Sequence, residues 1–307
     1  TWATPPLRDP ADDMRRWISW RQGLTSQFFL FVVLPLTTAL VAVAVGSQWV
    51  HQQAMRAMVA DRDSRAIRSS AAAISAQVMD RRRLVLGLAE ALGDPTGSIS
   101  LSAFGAMTAG FDGGVAVLAL DGTVTDASNN AAAWANRPLH DLLARWPATD
   151  PIFLSQPFVD SDGIRRILIA ARAAGKRRVV GAISPAGLVR DGLLPHDDMS
   201  MATSLSWVLV SAEGDVLFRE GELLSEGPLL QHPGVSEALR GESGTRFLPG
   251  KDGQEHVVAY APVAGTPWAL LTEEPWDQVE GPLLRSSLIA PLILIPAIIL
   301  ALVVLGF

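Results

Sequence analysis

The sequence predicts an α+β protein in which a long N-terminal helix leads into two tandem antiparallel-sheet modules, the whole flanked by two transmembrane helices. Three observations predict it. Uncharged apolar runs lie near both ends of the 307-residue chain, a proline-free helical stretch follows the first run, and an order of hairpin, helix and antiparallel strands then occurs twice. Hydrophobic residues make up 49% of the chain and charged ones only 18%, too apolar for a soluble domain unless the excess is concentrated in spans.

From Gln22 to Val50 there is no charged side chain, and Phe28 to Val45 is almost wholly apolar. That is roughly the 20 residues a helix needs to cross hydrocarbon. The first span is therefore assigned to 28–47, behind an N-terminal segment 1–27. Trp17, Trp20 and Trp49 flank it, where amphipathic rings prefer the interface, and lipid tolerates Pro35. A cleaved signal peptide fits less well, because the apolar run is too long and a substantial segment precedes it. Ser286 to Phe307 is the second uncharged run and defines a span at 283–307. Two crossings put both termini on one side. Arg15, Arg16 and Arg21 lie closer to hydrocarbon than any basic residue after Trp49, which assigns the termini to the cytoplasm and the central domain to the periplasm of a bacterial inner membrane.

Between the spans, Gln48 to Leu92 carries no proline and is rich in residues compatible with a helix, giving a stalk helix at 48–93 that Asp94, Pro95 and Gly97 end. Ile67, Ala71, Ile74, Val78, Val85, Leu88 and Leu92 follow a 3-4 spacing along its far half. Such a stripe either packs on the chain's own domain, the favoured expectation, or forms the seam of a parallel homodimer.

After Gly110 the pattern changes to short β runs separated by turns of the Asp-Gly or Glu-Gly type. Val115 to Ala127 reads as strand, Asp121-Gly122 turn, strand; Phe158 to Ala173 repeats the form, and Arg177 to Ser184 adds a strand. Ser206 to Gly221 resembles the first hairpin, and His256 to Pro275 supplies a last pair, with Trp268 as a core anchor. The repeat predicts modules at 94–198 (membrane-distal) and 199–282 (membrane-proximal), with a boundary near Met199.

A net charge of −6 gives no attraction for phosphate backbones, which argues against a nucleic-acid partner. Without cysteine there is no disulfide, thiol catalysis or thiolate metal site. No Gly-rich loop carries the Lys and Ser/Thr needed to cradle phosphates, no His-Glu metalloprotease helix occurs, and the GESG around Ser243 has the wrong register for a nucleophile elbow. No enzyme and no cofactor is therefore expected. His196-Asp197-Asp198 are adjacent rather than convergent and read as a solvated loop. Asp160-Ser161-Asp162-Gly163 begins like a calcium loop but lacks the closing Glu, so it reads as a hairpin turn.

Flanking spans, a first long helix and paired sheet modules, together with HPGVSEALRGESGTR (His232 to Arg246) and AYAPVAGTPWALLTEEPW (Ala259 to Trp276), resemble the double Cache family. These are extracytoplasmic ligand-binding domains of bacterial sensor kinases, chemoreceptors and cyclic-dinucleotide enzymes. The resemblance covers roughly Gln48 to Glu280 and implies two PAS-like modules. NRPLHDLL (Asn136 to Leu143) and FLSQPFVD (Phe153 to Asp160) resemble the segments lining the family's pocket, which makes Arg137, His140, Phe153, Phe158 and Asp160 the implied ligand-binding residues. Amino-acid-binding members carry an Arg, an aromatic pair just beyond it and a later Asp that anchors the ligand's ammonium. Here Arg137 stands at the Arg position, Leu139 and His140 replace the aromatics, and Ala182 falls where the Asp would be. A buried ammonium without a carboxylate would be costly, so free amino acids are not the expected ligand.

Two functions are then compatible with the residues. The altered pocket, and a chain that ends at Phe307 without an output domain, give the expectation of an accessory or structural subunit of a larger membrane complex, respiratory or photosynthetic. Its partners would be the lipid bilayer and other membrane-protein subunits. The alternative is the sensory input half of a transmembrane receptor binding a small organic ligand.

Overall fold

The structure, a computed structural model, describes residues 29–92, 100–128, 131–175, 177–193, 205–221, 228–250 and 253–279. Trp17, Trp20, the segment 1–27, the second span, the His196-Asp197-Asp198 loop and the boundary near Met199 lie outside them.

The chain divides into two units, one of 1–58 with 281–307 and one of 59–280. In the first unit, a π-helical turn at Phe29–Val33 opens a helix, α1 (Leu34–Ala91), that continues into the second. The Thr37 and Thr38 hydroxyls donate to the Val33 and Leu34 carbonyls at 2.9 and 2.8 Å, occupying polar groups that lipid would leave unpaired. The continuous helix Leu30–Ala91 contains an 18-residue window of mean hydropathy 2.2 with none of it buried, long and apolar enough to cross a membrane. Trp49 is exposed.

In the second unit all seven residues of the α1 stripe are buried, and they form one core with both sheets. The stripe is therefore not a homodimer seam, since its side chains are already committed to the chain's own domain.

The first sheet is built from β1 (Val115–Leu118), β2 (Val124–Ala127), β3 (Ile152–Leu154), β5 (Arg165–Ala173) and β6 (Arg177–Ile183) in the order β2-β1-β6-β5-β3, with the two-residue β4 (Phe158–Val159) paired to β5. The second has β7 (Ser206–Ser211), β8 (Val216–Glu220), β9 (Gly244–Pro249), β10 (Glu255–Val263) and β11 (Trp268–Pro275) in the order β8-β7-β11-β10-β9. Every pairing is antiparallel. The two orders are the same: in each module the first strand of the opening hairpin pairs with the module's last strand. Both opening hairpins also carry a register shift, at Val117/Leu118 and at Leu209/Val210.

Both turns form as their residues dictate. Gly122 and Gly214 take φ of 88° and 91°, a left-handed conformation that costs glycine little. The strands β3 and β9 carry too weak an alternation to be read from sequence, and the structure adds both. Short helices α2 (Gly105–Thr108), α3 (Ala131–Ala135) and α4 (Leu139–Ala144) belong to the first module, α5 (Pro185–Leu193) follows β6, and α6 (Pro233–Leu239) belongs to the second.

Side-chain alternation divides each strand between two cores. Val115, Val117, Ile167, Ile169, Ala171 and Val179 face α1, as do Leu209, Ala259, Ala261, Leu270 and the anchor Trp268. On the opposite faces, Ala116, Leu118, Leu168, Ala170, Val180 and Ala182 form one separate layer, and Val208, Val210, Val258, Tyr260, Ala269 and Leu271 form another. Each fully buried Leu, Ile or Val contributes roughly 1.5–3 kcal/mol.

Candidate functional site

The outer layer of the first sheet contains ions. On β5, Arg166 shares its face with Leu168 and Ala170, so strand alternation alone drives a guanidinium into an apolar layer. Asp160, just past β4, comes to meet it. The Arg166 Nη1 donates to Asp160 Oδ2 and to Asp162 Oδ1, and Nη2 donates to Asp162 Oδ2, each at 2.7 Å. Arg137, between α3 and α4, donates through Nε to the same Asp160 oxygen at 3.0 Å and through Nη2 as well. The other Asp160 oxygen accepts from the Ser161 amide at 2.8 Å.

These three side chains are almost sealed: Arg137 and Asp160 are 4% and 3% exposed, and Arg166 is 6%. Asp112 and Asp162 stand at the rim with carboxylates about half exposed. Burial pushes the Asp160 carboxyl up, but the Arg137 hydrogen bond, the Ser161 amide and the charges of Arg137 and Arg166 outweigh it and hold it below the usual range. Hydrogen bonds from Arg166, then from the Ile164 amide, hold Asp162 at about 2.

The Arg137 guanidinium stacks 4.0 Å above the ring of Trp134, which is 1% exposed. Two donors on this stacked pair have no hydrogen-bond partner: Arg137 Nη1 and Trp134 Nε1. Buried N–H groups are nearly always satisfied, so two unpaired donors on touching side chains set this pair apart from an ordinary core contact. Gly113 closes the layer beneath: a Cβ there would stand 2.6 Å from the Ala182 Cβ and 2.8 Å from the Arg166 Cδ, so only glycine lets this segment approach.

Four of the five residues implied by the resemblance therefore lie in or against this layer. Phe158 is buried in it, and Phe153 stacks on Trp146 with centroids 5.8 Å apart. His140 is not part of it. Leu139 and Leu143, one helical turn apart, take the buried face of α4 and leave His140 exposed. Asp160-Ser161-Asp162-Gly163 is the β4–β5 turn, as expected, yet its two carboxylates also hold Arg166. Sequence reasoning missed Arg166, Trp134 and Asp112. The available signal was Arg165-Arg166 opening an apolar strand, where alternation must send one of the two inward. Among the described residues, no group of three or more metal-ligating side chains converges.

The corresponding layer of the second sheet is closed by α6. A Cβ on Gly234 would lie 3.2 Å from Leu271 and Tyr260, so the helix backbone rests directly on the sheet. Its ion pair, Glu237 with Arg246 at 2.9 Å, sits at the edge, with the Arg246 side chain 52% exposed.

This fold is that of known sensor domains. The ligand-binding domain of the Pseudomonas fluorescens chemoreceptor CtaA, in complex with L-isoleucine, matches with a TM-score of 0.55 at 20% identity, over 74% of this chain and 97% of that one. The extracellular domain of rpHK1S-Z16, described as a histidine kinase, gives 0.54 at 17% identity over 70% and 94%. The periplasmic sensory domain of the Campylobacter jejuni chemoreceptor Tlp1 gives 0.50 at 12% over 72% and 96%. No family model matches the chain. The long first helix and two sheets of identical strand order are the double Cache architecture.

Proposed function

We propose that this chain is the sensory input half of a transmembrane receptor, with an extracytoplasmic ligand-binding domain between two spans and both termini in the cytoplasm. The stalk at 48–93, the modules at 94–198 and 199–282 and the second span at 283–307 are its working divisions. The observation that carries the reading is the sealed Arg137–Asp160–Arg166 cluster, where Arg137 Nη1, Arg166 Nε and the stacked Trp134 Nε1 have no hydrogen-bond partner, on the outer layer of the first sheet; among the described residues, the outer apolar layer of the second sheet has no such cluster. An accessory subunit has no need of such a layer. An apolar one is usually at least as stable as one holding buried ions. The shared fold with chemoreceptor and kinase input domains favours the sensory reading over the accessory one.

A route out of the site supports it. Arg165, next to Arg166 on β5 and pointing the opposite way, donates through Nη1 to the Val216 carbonyl on β8. The β10–β11 turn is tied to α1 by Ser75 Oγ to the Ala264 carbonyl at 2.7 Å and by Arg82 Nη1 to the Gly265 carbonyl at 2.9 Å. A shift at the cluster thus has a connected path to the second module.

The test is a thermal-shift screen of the full chain in lipid nanodiscs against amino acids, organic acids, amines and nucleobases. At least one compound is expected to raise Tm, and Trp134→Phe is expected to reduce that shift. A chain that responds to nothing, and that runs as a defined hetero-complex in native mass spectrometry after mild extraction, overturns the reading in favour of an accessory subunit.

A further inference from the structure

We propose that Asp63 on α1 and Glu274 on β11 form an acid-operated latch between the helix that leaves the first span and the strand that precedes the second uncharged run: protons close it, and neutral pH loosens it. Its place in a receptor rests on the sensory reading above; the titration itself does not.

Helical spacing sets Asp63 one turn from Val59 and one turn from Ile67, which are 5% and 1% exposed, so an acid occupies a position of the face that packs on the sheet. On β11, Glu274 alternates with Trp268 and Leu270 toward α1 and pairs with Val257, which packs with Val59. The side chains of Asp63 and Glu274 are 16% and 15% exposed. Arg62 stands beside both, with Nε 2.8 Å from Asp63 Oδ1 and Nη2 3.9 Å from Glu274 Oε2, but its own side chain is 60% exposed. A solvated cation thus faces two covered carboxylates. The other charged groups around the contact are, on α1, Arg56 two turns back and the exposed Asp61–Arg65 pair at 2.7 Å; on β10, Glu255, on the side of that strand that faces α1; and, beyond β11, the exposed Asp277. On the far face of β11, Glu273 Oε1 lies 3.8 Å from His256 Nδ1, and both side chains are buried. β9 turns Arg246 to that far face and presents Thr245 and Phe247 here.

Burial pushes the Asp63 carboxyl up, against the hydrogen bond and charge of Arg62. Burial and then the charge of Asp63 push Glu274 up, against the charge of Arg62. A carboxyl raised in the packed state holds its proton more tightly there than in the opened one. The closed contact is therefore favoured as pH falls through the raised values, and loses that advantage above them. Thr245 Oγ1 donates to the Ala60 carbonyl at 2.9 Å, an uncharged tie of α1 to β9 that persists at every pH. Deprotonation thus loosens one turn of α1 against β11 without releasing the helix. Trp276 and Val279 pack with Val59 and Val257 beside this turn, so the loosening reaches the segment that leads to the second uncharged run.

The experiment measures backbone amide exchange of the full chain in nanodiscs at pH ~7.5 and pH ~5, either side of the expected titration, corrected for the intrinsic exchange rate. Protection of 59–67 and β11 is expected to rise about tenfold in acid, the change in opening equilibrium that one pH unit of displaced titration produces, while β1 and β6 of the first module stay unchanged. Asp63→Asn and Glu274→Gln keep the shape and remove the charge. Each is expected to show at pH ~7.5 most of the protection that the wild type reaches in acid, with a flattened pH dependence. A wild-type contact indifferent to pH overturns the proposal. So does a pH dependence that survives intact in both variants, or one that His256→Gln abolishes, which would assign it to the far face of β11. A chain that titrates here but answers no compound in the ligand screen keeps this latch and loses the sensory reading; a ligand response without the titration does the reverse.

Discussion

Within each module the opening hairpin, the helical segment and the three later strands come in the same order and pair in the same order, so the two sheets are repeats of one design. They differ in what covers the outer layer. In the second module only five residues, 250–254, link the third strand to the fourth, the Gly250 amide donating to the Gln254 carbonyl at 2.7 Å, and α6 seals the sheet. In the first module the equivalent link runs through 155–164, contains β4 and delivers Asp160 and Asp162 to Arg166. The first layer thus holds an ion cluster with the strand order unchanged, through one longer connection and one inward-facing strand arginine. The ion pairs of the modules should consequently differ in what they hold up.

Asp160→Ala leaves two buried guanidiniums without their shared partner and should cost about 3–5 kcal/mol. Glu237→Ala in the second module releases Arg246, whose side chain is already half exposed and can turn to water, so its cost should stay near ~1 kcal/mol. Urea unfolding of the two variants in nanodiscs decides between them. Equal losses would mean that the cluster is a surface feature and that the contrast between modules is false.

How far this contrast was legible in the sequence depends on the range of each signal. The hairpins at Asp121-Gly122 and Glu213-Gly214 and the stripe from Ile67 to Leu92 were legible because turn chemistry and helical spacing are local. The edge strands β3 and β9 were not, since Ile152–Leu154 is too short to show a period and Gly244–Pro249 begins and ends in residues that strands disfavour; their neighbours on β5 and β10 make them strands. Arg137 and Asp160 were found through family resemblance. Their partner Arg166 needed knowledge of which face β5 turns inward, and the four-residue step to Asp162 looked like part of a turn. His140 was expected because it stands where the resembling family carries an aromatic, but Leu139 and Leu143 take the buried face of α4 and leave His140 outside.

Glycine substitution probes the same layers at lower cost. Gly113→Ala forces a methyl to within 2.6 Å of the Ala182 Cβ and into Arg166, so about 1–3 kcal/mol should be lost, along with ligand response. Gly234→Ala meets Leu271, Tyr260 and Val258 at 3.2–3.3 Å, which a few tenths of an ångström relieve, and should cost less. Thermal unfolding measures both; a larger loss at Gly234 would show that the second layer is the less yielding.

Acid should separate the modules by pH. The folded value of Asp162 is depressed to about 2, so its contribution is complete above the unfolded value near ~3.9 and is lost as pH falls from there toward 2. Burial depresses His232 in the second module, so its contribution is complete above ~6.5 and is lost as pH falls through its folded value. Asp63 and Glu274, raised by burial, act with the opposite sign, which makes variants necessary. His232→Gln should flatten the stability profile just below pH ~6.5, and Asp162→Asn only below pH ~4. Overlapping windows in a pH series of unfolding midpoints would remove this distinction.

The smallest expected effect on stability comes from Arg165→Ala, and it tests whether the modules communicate. Arg165 is exposed, and its hydrogen bond to the Val216 carbonyl should be worth less than about 1 kcal/mol. Yet it leaves β5 one residue from Arg166, and Val216 pairs with Val210 inside the second sheet. Ordering of Arg166 by a ligand should stiffen the start of β5, and Arg165 makes a side-chain hydrogen bond from that end to the second module. Ligand should therefore slow amide exchange in β8 of the wild-type chain, and Arg165→Ala should abolish that slowing while leaving affinity and slowing within β5 intact. Undiminished protection of β8 in the variant would show that α5, which packs on β8 after leaving β6, carries the coupling without Arg165.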